Sequence, residues 1–579
     1  MSTDSAAPAE HYAFPSPFHF QEREPITLVE LRMRHLSFAI RAKPNWWAKV
    51  HDPAIVAKWR AEIVEQDAEI VEAFWDGEKR FDDGNGQKLW PRDPISDAQL
   101  DYIFDELRYD AGRRDEATGI YASSIPSIYE TRSLIPEGLK EQFTKAVAVL
   151  EGIPDDKKDW HPGSNNQVLD LVHPSLYCLR IGKSCVLDFE SGDDPVPRLL
   201  TEEAYVNRRQ DLLYSSGSEV SMAYQWLPTD FQVSLTGEVS ALGYINNIHP
   251  EHNRDLHAAV TSILARFVPL FEKVLSDVLS PERPRAVKVD PGRWYSHVED
   301  EDPTNMDRDE EEDDDETFDR LYEEYRRTKE WPLIPDPEPF TPPSQEGRIE
   351  LNLKGRTLQV IVKLANIILT PENPVYEGGA WHVEGMANEK IVATGIYYYA
   401  CENITSSDLD FRQTVGKDNL GEGMDYRNGD YRGWITAFGL GPDLALSQVL
   451  GSVRAEEDKC IAFPNVYQHR VDHFQLEDPT RPGHRKILAF FLVDPFARIH
   501  STTDIPPQQR VWYAGALGEV PLFQTLPKEI FDMIVDSIDG TMNRAEAENE
   551  RLCLMEERSA FVVEHNEEVF EMSFAMCEH

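Results

Sequence analysis

The sequence predicts an α+β protein, helix-rich in its first half, with an antiparallel sandwich or jelly roll after it and helices again at the end. Three observations carry this. Apolar residues recur at helical spacing through much of the first 300 positions. An acidic, proline-rich stretch interrupts the chain at 299–345. Beyond it, short runs of β-branched and aromatic residues alternate with turn residues.

Residues 1–25 are polar and proline-spotted, which predicts a loose arm. Residues 26–43 (ITLVELRMRHLSFAIRAK) place apolar side chains three and four apart. Asp52-Pro53 reads as an N-cap with proline at the first helical position, opening a helix to about Trp75. Residues 255–279 form another amphipathic helix, with a kink expected near Pro269. Residues 175–187 (SLYCLRIGKSCVL) are strand-like. The helix-rich region thus spans 26–298, and the acidic, proline-rich linker or insertion spans 299–345. Between Glu299 and Asp319 stand fourteen acidic residues and one basic residue, a composition that repels itself and favours a solvated segment.

Residues 357–369, 391–399 and 485–493 are the clearest strands. No helix long enough for a parallel crossover separates the first two, so an antiparallel architecture is expected over a Rossmann sheet. Leu526-Pro527-Lys528-Glu529 starts a helix that stops at Gly540, and a second runs from Arg544 to about Ser559. These place helices in 511–579, packed on a core at 346–510.

Composition narrows the function. The chain has 579 residues, is 41% hydrophobic, and carries a net charge of -45. Such a charge opposes binding to nucleic-acid phosphates and to anionic membrane surfaces. Six cysteines without a C-x-x-C pair predict free thiols in a reducing compartment. The first ten residues lack the basic and apolar regions of a signal peptide, and ILAFFLV (487–493) is far shorter than the about 20 residues of a membrane span. A cytoplasmic protein acting on a small molecule or peptide is expected, with the nucleus open as well; oligomeric state is not legible. No G-x-S-x-G, P-loop or G-x-G-x-x-G occurs.

The outstanding segment is YEGGAWHVEG (376–385). His382 and Glu384 are two apart, so on extended backbone both point to one side. His469 supplies a third donor 85 residues on. Two imidazoles and a carboxylate on one face of a metal leave adjacent positions open, an arrangement suited to non-haem Fe(II). His473 is the competing distal donor. Arg485, sixteen residues after His469, opens an apolar strand, where it either points inward to bind a carboxylate or guards the strand at the surface. His249, His252 and His257 read as a turn and helix start. The neighbouring YINNIHP (244–250) either lines a substrate cleft or forms an ordered buried turn. Gly416 to Gly433 reads as a loop, an ordinary connection or a lid carrying on to Trp434. Trp381 and Trp434 suit either a core or a planar substrate.

H-x-E, a distant His and an Arg opening a strand together resemble the 2-oxoglutarate/Fe(II)-dependent dioxygenase superfamily. The Tyr376, Gly378 and Gly379 turn, the tyrosines at 397 and 398, and His469-Arg470-Val471 resemble its prolyl-hydroxylase branch. The whole chain resembles a largely fungal family of unknown function through LPTDFQVSLTGEV, SALGYINNIHP, WHVEGMANEKIVATGIYYY and HRKILAFFLVDP. The resemblance implies a double-stranded β-helix (jelly roll) at 346–510, Fe(II) on His382, Glu384 and His469, and 2-oxoglutarate held by Arg485 with help from Tyr398. It implies an oxygenase, commonly a hydroxylase, releasing succinate and CO₂. Glu384 stands where the superfamily usually has Asp. Lys486 is the next candidate should Arg485 not hold the cosubstrate. Two other classes stay open at this level: a non-catalytic scaffold on a degenerate jelly roll, and a cupin-type metal enzyme that does not use 2-oxoglutarate.

Overall fold

Capping chemistry sets the first helices. Thr27 accepts a hydrogen bond from the Glu30 N–H and starts α1 (Leu28–Arg41), which buries Leu31, Leu36 and Ile40. Asp52 Oδ1 accepts from the Ala54 N–H at 2.9 Å, and α2 (Pro53–Trp75) begins on the proline. α3 (Asp97–Gly112) and α4 (Glu137–Glu151) follow, with β1 (Tyr121–Ala122) and β2 (Tyr129–Thr131) between them. The structure, a computed structural model, describes residues 12–75, 94–188, 195–214, 217–305, 315–416, 431–441 and 444–574.

The rest of the chain up to the acidic run contributes β3 (Val168–Val172), β4 (Thr229–Val233), β5 (Val239–Ala241) and the long α5 (Arg254–Leu279), with α6 (Asp315–Thr328) starting inside the run. The second half supplies β6 (Thr357–Leu369), β7 (Val375–Tyr376), β8 (Ile391–Glu402), β9 (Ser407–Thr414), β10 (Ser447–Ala455), β11 (Cys460–Pro464), β12 (Gln468–Val471), β13 (Phe474–Gln475) and β14 (Gly483–Val493). Helices close the chain: α7 (Arg510–Gly518), α8 (Lys528–Asp536) and α9 (Arg544–His565), the last opened by a reciprocal Asn543–Glu546 capping box.

The architecture is mixed α/β with antiparallel sheets and helices at both ends. The large sheet runs β1-β2-β11-β8-β14-β6-β4-β5, with β3 also paired to β6. A smaller sheet runs β10-β9-β12, and β7 pairs β13 beside it. Strand alternation divides the large sheet's two faces. Val360, Leu364, Tyr397, Tyr399 and Phe490 meet Phe267 and Phe271 of α5 and Phe143 of α4. Ile361, Ile396, Tyr398, Ala489 and Phe491 meet Phe411, Leu450 and Val453 of the smaller sheet. The regions before 298 and after 346 therefore share one sheet through β2, β3 and β4.

Several local expectations change. Residues 175–187 are not one strand: Leu179–Arg180 and Cys185–Asp188 are short strands separated by a turn. Pro174 and the left-handed Tyr177, at φ 54°, break the pattern that composition suggested. α5 keeps the expected span, running through Pro269 to Leu279. Within 299–345, α6 buries Tyr325 against Trp294 and Trp434. Of the N-terminal arm, residue 18 is a buried phenylalanine packed on Phe561 of α9. No helix among the described residues is long and apolar enough to cross a membrane, and the described cysteines are free.

Gly395 is where α5 touches the sheet most closely. A Cβ there would lie 2.6 Å from Phe267 Cδ1 and 3.0 Å from Phe271 Cζ. Gly395→Val should therefore lower unfolding stability by ~1–3 kcal/mol through overpacking, measured by urea unfolding. Unchanged stability would mean that α5 is not fixed on the sheet by this contact.

Candidate metal centre

The backbone brings the distant histidine to the H-x-E segment. His382 and His469 donate N–H to each other's carbonyl, at 3.1 and 3.0 Å, as an antiparallel bridge. Directly opposed residues put their side chains on the same side, and the two rings lie 4.4 Å apart between centroids. Glu384, two residues after His382, joins them. The FPN turn before His469 fixes the glutamate's backbone: Asn465 accepts from the Glu384 N–H at 2.9 Å and donates to its carbonyl at 3.0 Å. Upstream, Gly378 has φ 96°, and a Cβ there would lie 3.0 Å from the Val471 carbonyl, so this close turn requires glycine.

One donor atom from each of His382, Glu384 and His469 lies within 4.8 Å of the others. Glu384 Oε1 is 3.4 Å from His469 Nε2 and 3.9 Å from His382 Nε2. Because a carbonyl can only accept, His382 Nδ1 carries the proton in its 2.8 Å bond to Ala380, which leaves the Nε2 lone pair toward the carboxylate. Burial, then the adjacent His469, pulls the His382 imidazole down to about 4, against the opposing pull of Glu384. Burial alone would raise the Glu384 carboxyl, but the His469 hydrogen bond and the two imidazoles outweigh it and hold it down to about 2. The group thus offers a neutral imidazole and a carboxylate at neutral pH, the protonation states that a divalent cation needs. His382 retains 36% side-chain exposure against 12% for Glu384 and 4% for His469, so the cluster opens to solvent on the His382 side.

A second polar group lies inside the same sandwich. Arg485 is buried, donates to Ser407 Oγ at 2.5 Å, and its Nε has no hydrogen-bond partner among the described residues. Its guanidinium stands 5.3 Å from the Tyr398 ring centroid. The buried Tyr398 hydroxyl is likewise without a partner among the described residues, as is Thr394 Oγ1 farther along the strand, opposite Phe491. Burial pushes the Tyr398 phenol up to about 12, so it remains a donor. Arg485 and Lys486 face opposite ways. Lys486 pairs with Glu151 of α4 at 2.8 Å on the helical side of the sheet, which removes it as an alternative to Arg485.

Other candidates stand apart. His473 is 69% exposed and outside the cluster. His249 and His252 stack on each other at 3.9 Å. Trp381 is covered by the guanidinium groups of Arg412 and Arg470, at 4.9 and 4.6 Å, and Trp434 is a core residue against Phe438 and Phe574. Of the proposed lid, residues 417–430 lie outside the described residues. Sequence reasoning missed Lys363, whose charge acts on His382 and Glu384. A lone lysine in the apolar strand TLQVIVKLANIIL, on the parity of Ile361, was the available signal. It also missed His161, Asp170 and His173, which converge as a second group of potential ligands and carry no motif spacing.

The family described as a protein of unknown function (DUF4246) matches residues 97–516, and a DUF4246 N-terminal domain matches residues 2–62. The chain belongs to this family. No curated protein matches it. Among solved structures, IDO from Bacillus thuringiensis is 10% identical at a TM-score of 0.14, the match covering 24% of this chain and 46% of that one, about half its length. A bsmA homologue from Methylobium petroleophilum PM1 is 10% identical at 0.22, covering 63% and 87%. The Fe(II)/(alpha)ketoglutarate-dependent dioxygenase TqaL is 12% identical at 0.21, covering 47% and 71%. At these scores the likenesses carry no argument about this chain.

The protonation states have a consequence for stability. An unfolded histidine titrates near 6.5 and the folded His382 near 4, so the folded state binds fewer protons between those values. Glu384 acts with the same sign at lower pH, between 4.5 and about 2. Stability of the metal-free protein should therefore be full above pH 6.5 and fall on acidification. In urea unfolding at pH 7 and pH 5, His382→Gln should show a smaller loss than wild type. Equal losses would contradict a His382 that stays neutral in the folded protein.

Proposed function

We propose that the chain is an Fe(II)- and 2-oxoglutarate-dependent oxygenase acting on a small-molecule or peptide substrate, on a double-stranded β-helix formed by β6 to β14. The observation that carries the reading is the pairing of two polar groups inside one sandwich: His382, Glu384 and His469 at one point, and at another Arg485 beside Tyr398, whose hydroxyl has no partner among the described residues.

The strand order supports it. Taking β12 and β13 together as the seventh strand, β6 to β14 make eight. The first, eighth, third and sixth are neighbours in the large sheet, and the fifth, fourth, seventh and second are linked in the smaller pairings. That alternation between sheets is the winding of a jelly roll. The segment after the second strand and the seventh strand then carry the ligands, and the eighth strand carries Arg485.

The residues divide the work. Two imidazoles and one carboxylate fit Fe(II) and leave neighbouring coordination positions free. The Ala380 carbonyl holds His382 in the ligating tautomer, and Asn465 holds the Glu384 backbone. Arg485 is a buried cation whose Ser407 contact is neutral, and its fork matches a carboxylate. The Tyr398 O–H is a donor beside it. When bound, Fe(II) with 2-oxoglutarate would supply the electrons to reduce dioxygen, one oxygen atom leaving in succinate beside CO₂ and the other going to the substrate. The apolar lining contributed by Phe411 and Phe463, both packed on His469, keeps bulk water from the buried side of the centre.

Anaerobic titration separates this from the alternatives. Wild type should take up one Fe(II), and adding 2-oxoglutarate should produce a weak visible charge-transfer band. Glu384→Ala and His469→Ala should lose iron binding, whereas His473→Ala should retain it. Arg485→Ala should keep iron but weaken 2-oxoglutarate by roughly 100-fold or more, the scale of about 3–5 kcal/mol for a broken buried pair. Metal uptake with no effect of 2-oxoglutarate would replace the reading with a metal enzyme of another kind. No metal uptake would point to a scaffold.

A further inference from the structure

A cleft of about 580 Å³ lies along β3, beneath α7 and α8. That volume falls within the roughly 300–1,000 Å³ of small-molecule sites. Leu150, Leu169, Leu171, Val511, Trp512 and Val535 make its walls apolar. Its polar floor is Asp170, His173, Asn247 and Gln509; Lys157, Asp159, Arg510, Asn543 and Arg544 also line it, with Arg510 paired to Asp536 and Glu546 and Arg544 to Asp159 and Glu548.

The floor is held by the YINNIHP segment. Asn246 donates to the Leu176 and Tyr177 carbonyls, and Asn247 to those of His173 and Leu176, which fixes the turn that carries His173. Gln509 Nε2 donates to both asparagine side chains at 3.2 Å. This leaves Gln509 Oε1 buried with no partner, on a residue that is 2% exposed. Asp170 is 4% exposed; its Oδ2 accepts from His161 Nδ1 at 2.8 Å, while its Oδ1 has no partner. The Ser175 N–H donates to His173 Nδ1 at 3.2 Å. Burial keeps that imidazole neutral, down to about 3, so its proton sits on Nε2.

Among the described residues the floor therefore holds two buried acceptors without donors and one N–H. His161, Asp170 and His173 are close enough to hold an ion, but His173 in this tautomer shows a proton at Nε2, and Arg551 lies 3.8 Å from Asp170. Both features oppose a cation. A carboxylate would only accept and an ammonium would only donate. A hydroxyl does both.

We propose that the cleft is a ligand site separate from the metal centre, taking a small apolar molecule anchored by a hydroxyl that accepts from His173 Nε2–H and donates to Asp170 or Gln509. The site does not depend on the oxygenase reading.

The test uses the full chain and three probes on one scaffold, tryptophol, tryptamine and indole-3-propionate, measured by calorimetry and ligand-observed NMR. Salt of about 0.5 M screens the chain's negative charge, which would otherwise attract any amine, and Lys157 on the cleft, which would attract a carboxylate. Tryptophol should bind about tenfold or more tightly than either charged analogue, because each of them leaves a buried polar group unpaired. Ala514→Phe, which fills the cleft from α7, should weaken tryptophol by at least about tenfold with the melting temperature unchanged, and Asp170→Asn should also weaken it. Should Asp170→Asn fail to fold, Ala514→Phe still decides. Absent tryptophol binding at millimolar concentration, equal binding of the three probes, or full binding in Ala514→Phe would overturn the proposal. So would a zinc ion that is retained in His382→Ala and lost in His161→Ala.

Discussion

The two backbone hydrogen bonds that join His382 to His469 are the constraint on which the candidate centre depends. They set the imidazoles side by side, and Asn465, from the turn just before His469, ties the Glu384 backbone into the same unit. Three side chains separated by 85 residues of sequence are thus positioned by main-chain bonds and one asparagine, with little freedom left to lose on binding a ligand. The rigid frame behind them is the pair of facing sheets, and α5 holds the large sheet from its other side.

Charge placement follows from that frame. The chain carries a net charge of -45, yet inside the sandwich the Glu384 carboxylate stands among two histidines with Lys363 acting on it, and Arg485 lies beyond. A buried cation without a carboxylate partner is costly unless something anionic reaches it. Arg485 is in that position: its hydrogen-bond partner is the Ser407 hydroxyl, and the hydroxyl of the neighbouring Tyr398 has no partner among the described residues. Lys486, the next residue, meets Glu151 on the opposite face. Strand parity alone separates a lysine satisfied at the helical layer from an arginine held inside the sandwich.

Much of this was legible in the sequence, for physical reasons. Apolar periodicity and proline at a helix start marked α1 and α2, and β-branched runs marked β6, β8 and β14. The H-x-E spacing told that His382 and Glu384 share a side wherever the backbone is extended. What stayed hidden was long-range. The join of β2, β3 and β4 to the large sheet depends on pairing across more than a hundred residues, which no local pattern encodes. The 175–187 segment misled because its composition favours strand while Pro174 and Tyr177 impose a turn. His161, Asp170 and His173 meet only because a strand edge and a turn fold onto each other, so their spacing carries no signature.

The most direct test of the central claim is anomalous diffraction at the iron edge from crystals grown anaerobically with Fe(II) and 2-oxoglutarate. The account predicts one strong peak bounded by His382 Nε2, a Glu384 oxygen and His469 Nε2, at about 2.0–2.2 Å as for other first-row metal sites. It also predicts density for the cosubstrate ending at Arg485. A peak at His161, Asp170 and His173 instead, or no peak with the protein folded, would contradict it.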